Sequence, residues 1–262
     1  MRNPQREINV AVRASLRIML SLTLVFVILL STSGPTAGHA ATEPKIAVER
    51  LVTVNSWGIV AINDTYTIRN GESVPMTDFV TGFPRNYADR LQYASVKDST
   101  GVRLSIDKDV NDTSEIYWMR IVLAHPVPYE QTYKLESVMV FTDVVRFAET
   151  HFVYEFASAP SLRVKADYCN VTIVLAKGSR IFLPEHSNFT EREFKGNPAA
   201  NCTYKPLEPG AKFTVLFNFT SVEQRLLTLN SARRDIHFDS QGYLSIADSY
   251  NVTNKALTLS SI

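Results

Sequence analysis

The chain has 262 residues, 45% hydrophobic and 20% charged, with a net charge of +1, a balance that fits one or two globular domains and excludes a disordered or collagen-like polypeptide. Near-neutral charge leaves no electrostatic footprint for a phosphate backbone, so no nucleic-acid partner is expected. Ten glycines, twelve prolines, 14 Phe, 11 Tyr and 2 Trp favour many strands and turns over long helices, and with two cysteines the core has to come from apolar packing.

Residues 1–40 read as a signal peptide. Arg2, Arg6, Arg13 and Arg17 precede a mostly apolar run at 18–30, and the small residues Gly38 and Ala40 stand where a signal peptidase requires them. The run is short for a membrane span, so cleavage before Ala41 is favoured over retention as an anchor. Without that segment the chain carries 23 basic and 25 acidic residues, an ordinary solvated surface.

Downstream, alternating apolar and polar residues bounded by turn formers predict strands at 46–54, 59–68, 91–96, 116–123, 133–141, 162–176, 213–219, 236–238 and 243–252. No stretch reads as an amphipathic helix. Prolines at 126 and 128 make 124–128 a connection, and clustered turn residues make 178–179, 184–188 and 195–201 loops. The expected fold is all-β: antiparallel β-sandwich domains over 41–228, two of them closely docked with a sub-boundary near 145–160, followed at 229–262 by the first hairpin of a repeated domain.

That last expectation comes from an internal repeat. Residues 50–70 align without gaps to 234–254, with seven of 21 positions identical. Each copy reads as strand, Asx-Ser-x-Gly turn, strand, the chemistry of a type I turn closed by a glycine in the left-handed region. A turn at Asn55–Gly58 sets a ladder in which paired residue numbers sum to 114, placing Arg50 opposite Asp64 at the edge of an apolar face. The second copy places Arg234 opposite Asp248 in the same way. The competing arrangement has both charges splayed to solvent at the strand ends.

Asn-x-Ser/Thr triplets begin at Asn63, Asn111, Asn170, Asn188, Asn201, Asn218 and Asn251. With 13 asparagines and 37 Ser or Thr after residue 40, chance gives about two such triplets, so the excess marks an exported glycoprotein. In the second strand of each hairpin Asn63 and Asn251 fall in the phase opposite to the apolar residues and should face solvent. In an oxidising compartment Cys169 and Cys202 are expected to pair as a disulfide.

Catalytic constellations are missing from the sequence. It has no Gly-x-Ser-x-Gly elbow, no His-Glu-x-x-His and no phosphate-binding glycine loop. His125, His151, His186 and His237 lack metal-ligand spacing. The Asp107-x-Asp109-x-Asn111-Asp112 run has Asp112 where a calcium loop needs Gly and Trp118 where it needs Glu, so it reads as a solvated turn. No catalytic, cofactor-binding or metal residues are expected.

Arg50, Ser56-Trp57-Gly58 and Asp64, together with Val140-Phe141-Thr142-Asp143 and the run from Leu207 to Phe213, resemble the luminal region of the ribophorin I family. That family is the large non-catalytic subunit of the oligosaccharyltransferase, so the resemblance implies a non-enzymatic, membrane-associated role in asparagine-linked glycosylation. The chain would scaffold a catalytic membrane subunit or hold nascent substrate near it. The Trp-Trp-Asp-Tyr-Gly signature of the transferring enzymes is absent; the two tryptophans are Trp57 and Trp118. Family members continue into a further luminal domain and a membrane helix, so this chain is expected to be a fragment, or a short relative attached to membranes only through partners. Its expected location is the secretory pathway or cell exterior: the endoplasmic reticulum lumen in a eukaryote, the outer face of the cytoplasmic membrane in a prokaryote. A free extracytoplasmic β-sandwich used for adhesion or ligand binding is the rival reading.

Overall fold

A computed structural model describes residues 43–110, 113–148, 150–221 and 227–254; the signal segment at 1–40 and the Asn111 triplet's asparagine fall outside them. Seventeen strands follow one another in these residues, with a 3-10 turn at Arg85–Arg90. They are β1 (Lys45–Val54), β2 (Val60–Arg69), β3 (Met76–Pro84), β4 (Leu91–Asp98), β5 (Arg103–Lys108), β6 (Ile116–Val127), β7 (Thr132–Phe141), β8 (Val145–Ala148) and β9 (His151–Ala157). The second half holds β10 (Ser161–Leu162), β11 (Tyr168–Val174), β12 (Arg180–Phe182), β13 (Thr190–Phe194), β14 (Asn197–Tyr204), β15 (Thr214–Thr220), β16 (Leu227–Phe238) and β17 (Leu244–Asn254).

The fold is all-β. Eleven strands form one sheet in the order β10-β3-β6-β5-β4-β7-β2-β1-β11-β14-β13, four form a second in the order β12-β15-β9-β8, and β16 and β17 pair only with each other. Neighbours run antiparallel except β1 and β11, which are parallel. Strict alternation along β1 and β2 buries every second residue, which is what period-2 patterning demands of a strand with one face in the core. Their turn is built as its sequence dictates. Gly58 takes φ 75°, Asn55 N–H donates to the Ile59 carbonyl at 3.1 Å, and the Asn55 side chain accepts from Trp57 N–H at 2.9 Å and Ile59 N–H at 3.0 Å.

Aromatic rings from strands remote in sequence fill the interior. Phe141 on β7 meets Phe83 on β3 edge-on at 5.1 Å and Phe156 on β9 at 4.5 Å, while Tyr66 on β2 meets Phe79 on β3 at 5.0 Å. Gly82 on β3 lies where no side chain fits. A Cβ there would stand 2.5 Å from the Tyr117 carbonyl oxygen and 2.9 Å from Ile116 Cγ2. We therefore expect Gly82→Ala to destabilise by about 1–3 kcal/mol through forced backbone movement; equilibrium urea unfolding checks this, and an unchanged midpoint would refute it.

Several sequence expectations require correction. Strand β6 runs on to Val127 through the predicted connection at 124–128. Its pairing with β3 jumps from Val122 to Val127, so Pro126 falls within the interruption, where no ladder hydrogen bond is demanded of it. The predicted loop at 195–201 is instead a tight turn at Lys195 and Gly196 leading into β14. The predicted strand at 162–176 is cut by a bend, leaving β10 and β11. Strands β3, β5, β8, β9, β12, β13 and β14 are not among those the sequence predicts.

Candidate binding cleft and buried charge network

Arg50 and Asp64 meet across the β1–β2 ladder in the register that the turn sets, with paired numbers summing to 114. The contact is bidentate. Arg50 Nε donates to Asp64 Oδ1 and Arg50 Nη2 to Asp64 Oδ2, each at 2.7 Å, and both side chains are fully buried. The Tyr66 hydroxyl donates to Asp64 Oδ2 at 3.0 Å and lies 3.0 Å from Thr81 Oγ1, while Arg50 Nη1 reaches the Ala157 carbonyl at 3.4 Å. The network therefore ties β2 to β3 and β1 to the end of β9. Burial opposes the charge of Arg50, and the Asp64 carboxylate more than offsets it, so the guanidinium titrates above its ordinary range. Burial, reinforced by Asp64, also pushes the Tyr66 phenol well up. With every charge bonded to its partner, this is a joint between strands.

The second copy repeats the geometry without the cover. Arg234 Nε donates to Asp248 Oδ1 at 2.7 Å, Nη2 donates to Oδ2 at 2.9 Å, and the Tyr250 hydroxyl reaches Oδ2 at 3.3 Å. Gly242 takes φ 86°, and Asp239 accepts from Gln241 and Tyr243 N–H as Asn55 does in the first copy. Yet Phe238 and Tyr250 are 71% and 63% exposed, against 0% for Tyr66. Arg234 titrates above and Asp248 below its ordinary range because each is hydrogen-bonded to the other.

Cys169 and Cys202 are free buried thiols, which corrects the expected disulfide. The β11–β14 register sets Cys169 opposite Tyr204 and Cys202 opposite Val171, so the two are diagonal neighbours. Such neighbours stand roughly 7–8 Å apart, beyond the roughly 4.4–6.8 Å between Cα atoms that a disulfide bridges. Burial pushes the Cys169 thiol up to about 12 and raises Cys202 as well, so both stay protonated and unreactive at neutral pH. Maleimide labelling of denatured, unreduced protein should modify two thiols, and native protein at pH 7 should label far more slowly. No label after denaturation would restore the disulfide.

Of the triplet asparagines, Asn63, Asn188 and Asn251 are exposed, and Asn170, Asn201 and Asn218 are half-buried. Asn63, Asn170 and Asn201 share the outer face of the large sheet, because Asn63 and Thr172 both oppose Leu51 and Asn201 opposes Thr172. The Asn170 amide is already engaged: it donates to Glu49 Oε1 at 2.9 Å and accepts from Thr203 Oγ1 at 2.9 Å. In the Asp107–Asp112 run, Asp107 pairs with Arg120 and Asp109 with Arg85. Among the described residues no group of three His, Cys, Asp or Glu side chains is arranged to hold a metal.

The concave feature of interest lies at one end of β3. A cleft of ≈ 350 Å³ opens between residues 76–80 and the bend after β10, floored by Ile46, Ile68 and Phe79. Its outer wall is a loop fixed by Asn70, which is 2% exposed. The Asn70 amide donates to the Val74 and Val127 carbonyls, both at 2.9 Å, and accepts from Glu72 N–H at 2.9 Å. Sequence reading missed this cleft and the partners Thr81 and Ala157. The alternation of Phe79, Thr81 and Phe83 was the available signal for β3.

The described chain is thus an all-β protein of antiparallel sheets with a buried ionic joint and an apolar cleft at a strand edge. It belongs to the Ribophorin I family, whose profile matches residues 45–261. It is 24% identical over 229 residues to dolichyl-diphosphooligosaccharide–protein glycosyltransferase subunit 1A of Arabidopsis thaliana, a match covering 81% of this chain and 37% of that relative. Among solved structures it is similar to a putative nutrient binding protein of Legionella pneumophila (TM-score 0.46, 9% identity, 68% of each chain). It is also similar to an M1 zinc metallopeptidase of Deinococcus radiodurans (TM-score 0.40, 13% identity, 84% of this chain and 50% of the other). No helix among the described residues is long and apolar enough to cross a membrane.

Proposed function

We propose that this protein is a non-catalytic, exported subunit supporting asparagine-linked protein glycosylation, where it scaffolds a catalytic membrane subunit or holds substrate near it. The observation that carries this reading is the Ribophorin I match over 45–261; the likeness to a glycosyltransferase subunit supports it. The ionic network is consistent with a structural protein, since its carboxylate and guanidinium are spent on each other. In this reading residues 1–40 direct export, to the endoplasmic reticulum lumen in a eukaryote or the outer face of the cytoplasmic membrane in a prokaryote. The triplet asparagines then carry glycans. Residues 229–262 begin a second copy of the β1–β2 unit, a reading supported by the shared turn, register and Arg–Asp–Tyr constellation.

Affinity purification of the tagged full-length chain from its own cells tests the role. Co-isolation of a glycosyltransferase membrane subunit is expected, together with under-glycosylated acceptor proteins when the chain is depleted. Isolation without such a subunit, and with acceptor glycosylation intact, would favour a free adhesion or ligand-binding module instead.

A further inference from the structure

We infer that the cleft beside β10 takes an extended, apolar stretch of unfolded polypeptide as an added strand on the open edge of β3. The inference rests on the substrate-holding reading above and gives it a place and a ligand class. Strand β10 pairs with β3 through two residues only, Ser161 opposite Gly82 and Leu162 opposite Thr81. The chain then bends away, and Arg163 and Val164 line the cleft together with Asp78, Phe79 and Val80. Strand β6 occupies the other edge of this part of β3, so among the described residues the near edge of 76–80 carries no strand. A sheet edge of this kind is a template for a further strand, and the cleft lies where β10 would have continued.

Size and chemistry narrow the occupant. At ≈ 350 Å³ the cleft lies at the small end of ligand sites and accepts one or two side chains. An added strand presents every second side chain to one face, so alternate apolar residues would enter over Ile46, Ile68 and Phe79. Val74 and Val164, both exposed, form an apolar lip. Of the charged side chains lining the cleft, Glu72 and Asp78 are acidic and Arg163 is basic, with the Arg163 guanidinium drawn 5.5 Å above the Trp118 ring. Asp78 also feels Arg120, whose direct bonds go to Asp107. The rim therefore favours a segment flanked by basic residues. A folded partner rarely offers a bare strand with both backbone edges free, whereas an unfolded chain does.

Fluorescence anisotropy with the full chain and a fluorescein-labelled peptide, Lys-Val-Thr-Val-Thr-Val-Thr-Val-Lys, tests the site. We expect saturable binding, weakened severalfold when both lysines are replaced by glutamates. Two N-methylated versions, one in each alternate backbone phase, should differ by at least tenfold, because only one phase faces β3 in a one-sided ladder. Val164→Trp should fill the slot and weaken binding at least tenfold with an unchanged unfolding midpoint. If that variant fails to fold, Val74→Lys at the exposed lip serves the same purpose, because it removes apolar surface and repels the lysine-flanked peptide. Equal binding of the two N-methylated peptides, no effect of the slot variant, or no saturable binding would overturn the inference. Failure here while a glycosyltransferase subunit still co-isolates rejects the cleft alone; peptide binding without co-isolation rejects the subunit reading alone.

Discussion

Replacing Asp64 with alanine should cost about 3–5 kcal/mol of stability, because it strands the Arg50 guanidinium among apolar residues with no counter-ion. Arg50 is 2% exposed, and among the described residues the acceptor left to it is the Ala157 carbonyl at 3.4 Å. Tyr66 would also lose its carboxylate acceptor. The double variant Arg50→Ala with Asp64→Ala removes the stranded charge along with its partner, so its loss should be smaller than the sum of the two single losses. Asp248→Ala supplies an internal control. The Arg234–Asp248 pair has nearly the same geometry, but Arg234 is solvated, and its loss should leave the unfolding midpoint unchanged. Urea unfolding of the four variants decides the matter. Equal effects of Asp64→Ala and Asp248→Ala, or strict additivity in the first copy, would show that burial does not set the value of this pair.

Phe141→Ala should be comparably severe, at about 3–5 kcal/mol, the range for truncating a buried aromatic residue. The ring has no solvent exposure and contacts Phe83 of the large sheet and Phe156 of the four-stranded sheet together. Truncation removes apolar burial and both ring contacts at once, and the rigid strands on either side cannot collapse into the gap. Phe141→Leu keeps most of the volume and should cost clearly less. A loss below about 1 kcal/mol for the alanine variant would mean that the interior repacks freely there, contrary to the close packing expected of such a core.

The parts of the fold legible in the sequence are those whose determinants are local. Period-2 alternation and the Asn55–Gly58 turn suffice to define β1, β2 and the Arg50–Asp64 register, since a two-strand ladder is set by its turn. Strand β14 was not legible, because Asn197-Pro198 and Asn201 read as turn formers and only pairing with β13 and β11 makes them a strand. Strand β3 was hidden by Pro75, Gly82 and Pro84, residues that normally end strands. Gly82 is there because the Tyr117 carbonyl leaves no room for a Cβ. The cleft, Thr81 and the Ala157 carbonyl were beyond reach for a different reason. They join segments far apart in the chain, and no periodicity records which distant strand lies against which. The cysteines show the same limit: an oxidising compartment suggested a bond that a two-residue offset in register withholds.

The parallel pairing of β1 with β11 sets a timetable for the chain's birth. Glu49 and Asn170, which face each other across that pairing, are 121 residues apart. At translation speeds of roughly 5–20 residues per second, β1 and β2 can zip together at once, but the other side of β1 waits on the order of ten seconds for its neighbour to be made. During that interval a strand rich in valine and isoleucine presents a bare edge, the arrangement most prone to recruit the wrong chain. A protein assembled in this order gains from any shielding of its earliest strand until the late neighbour has been made.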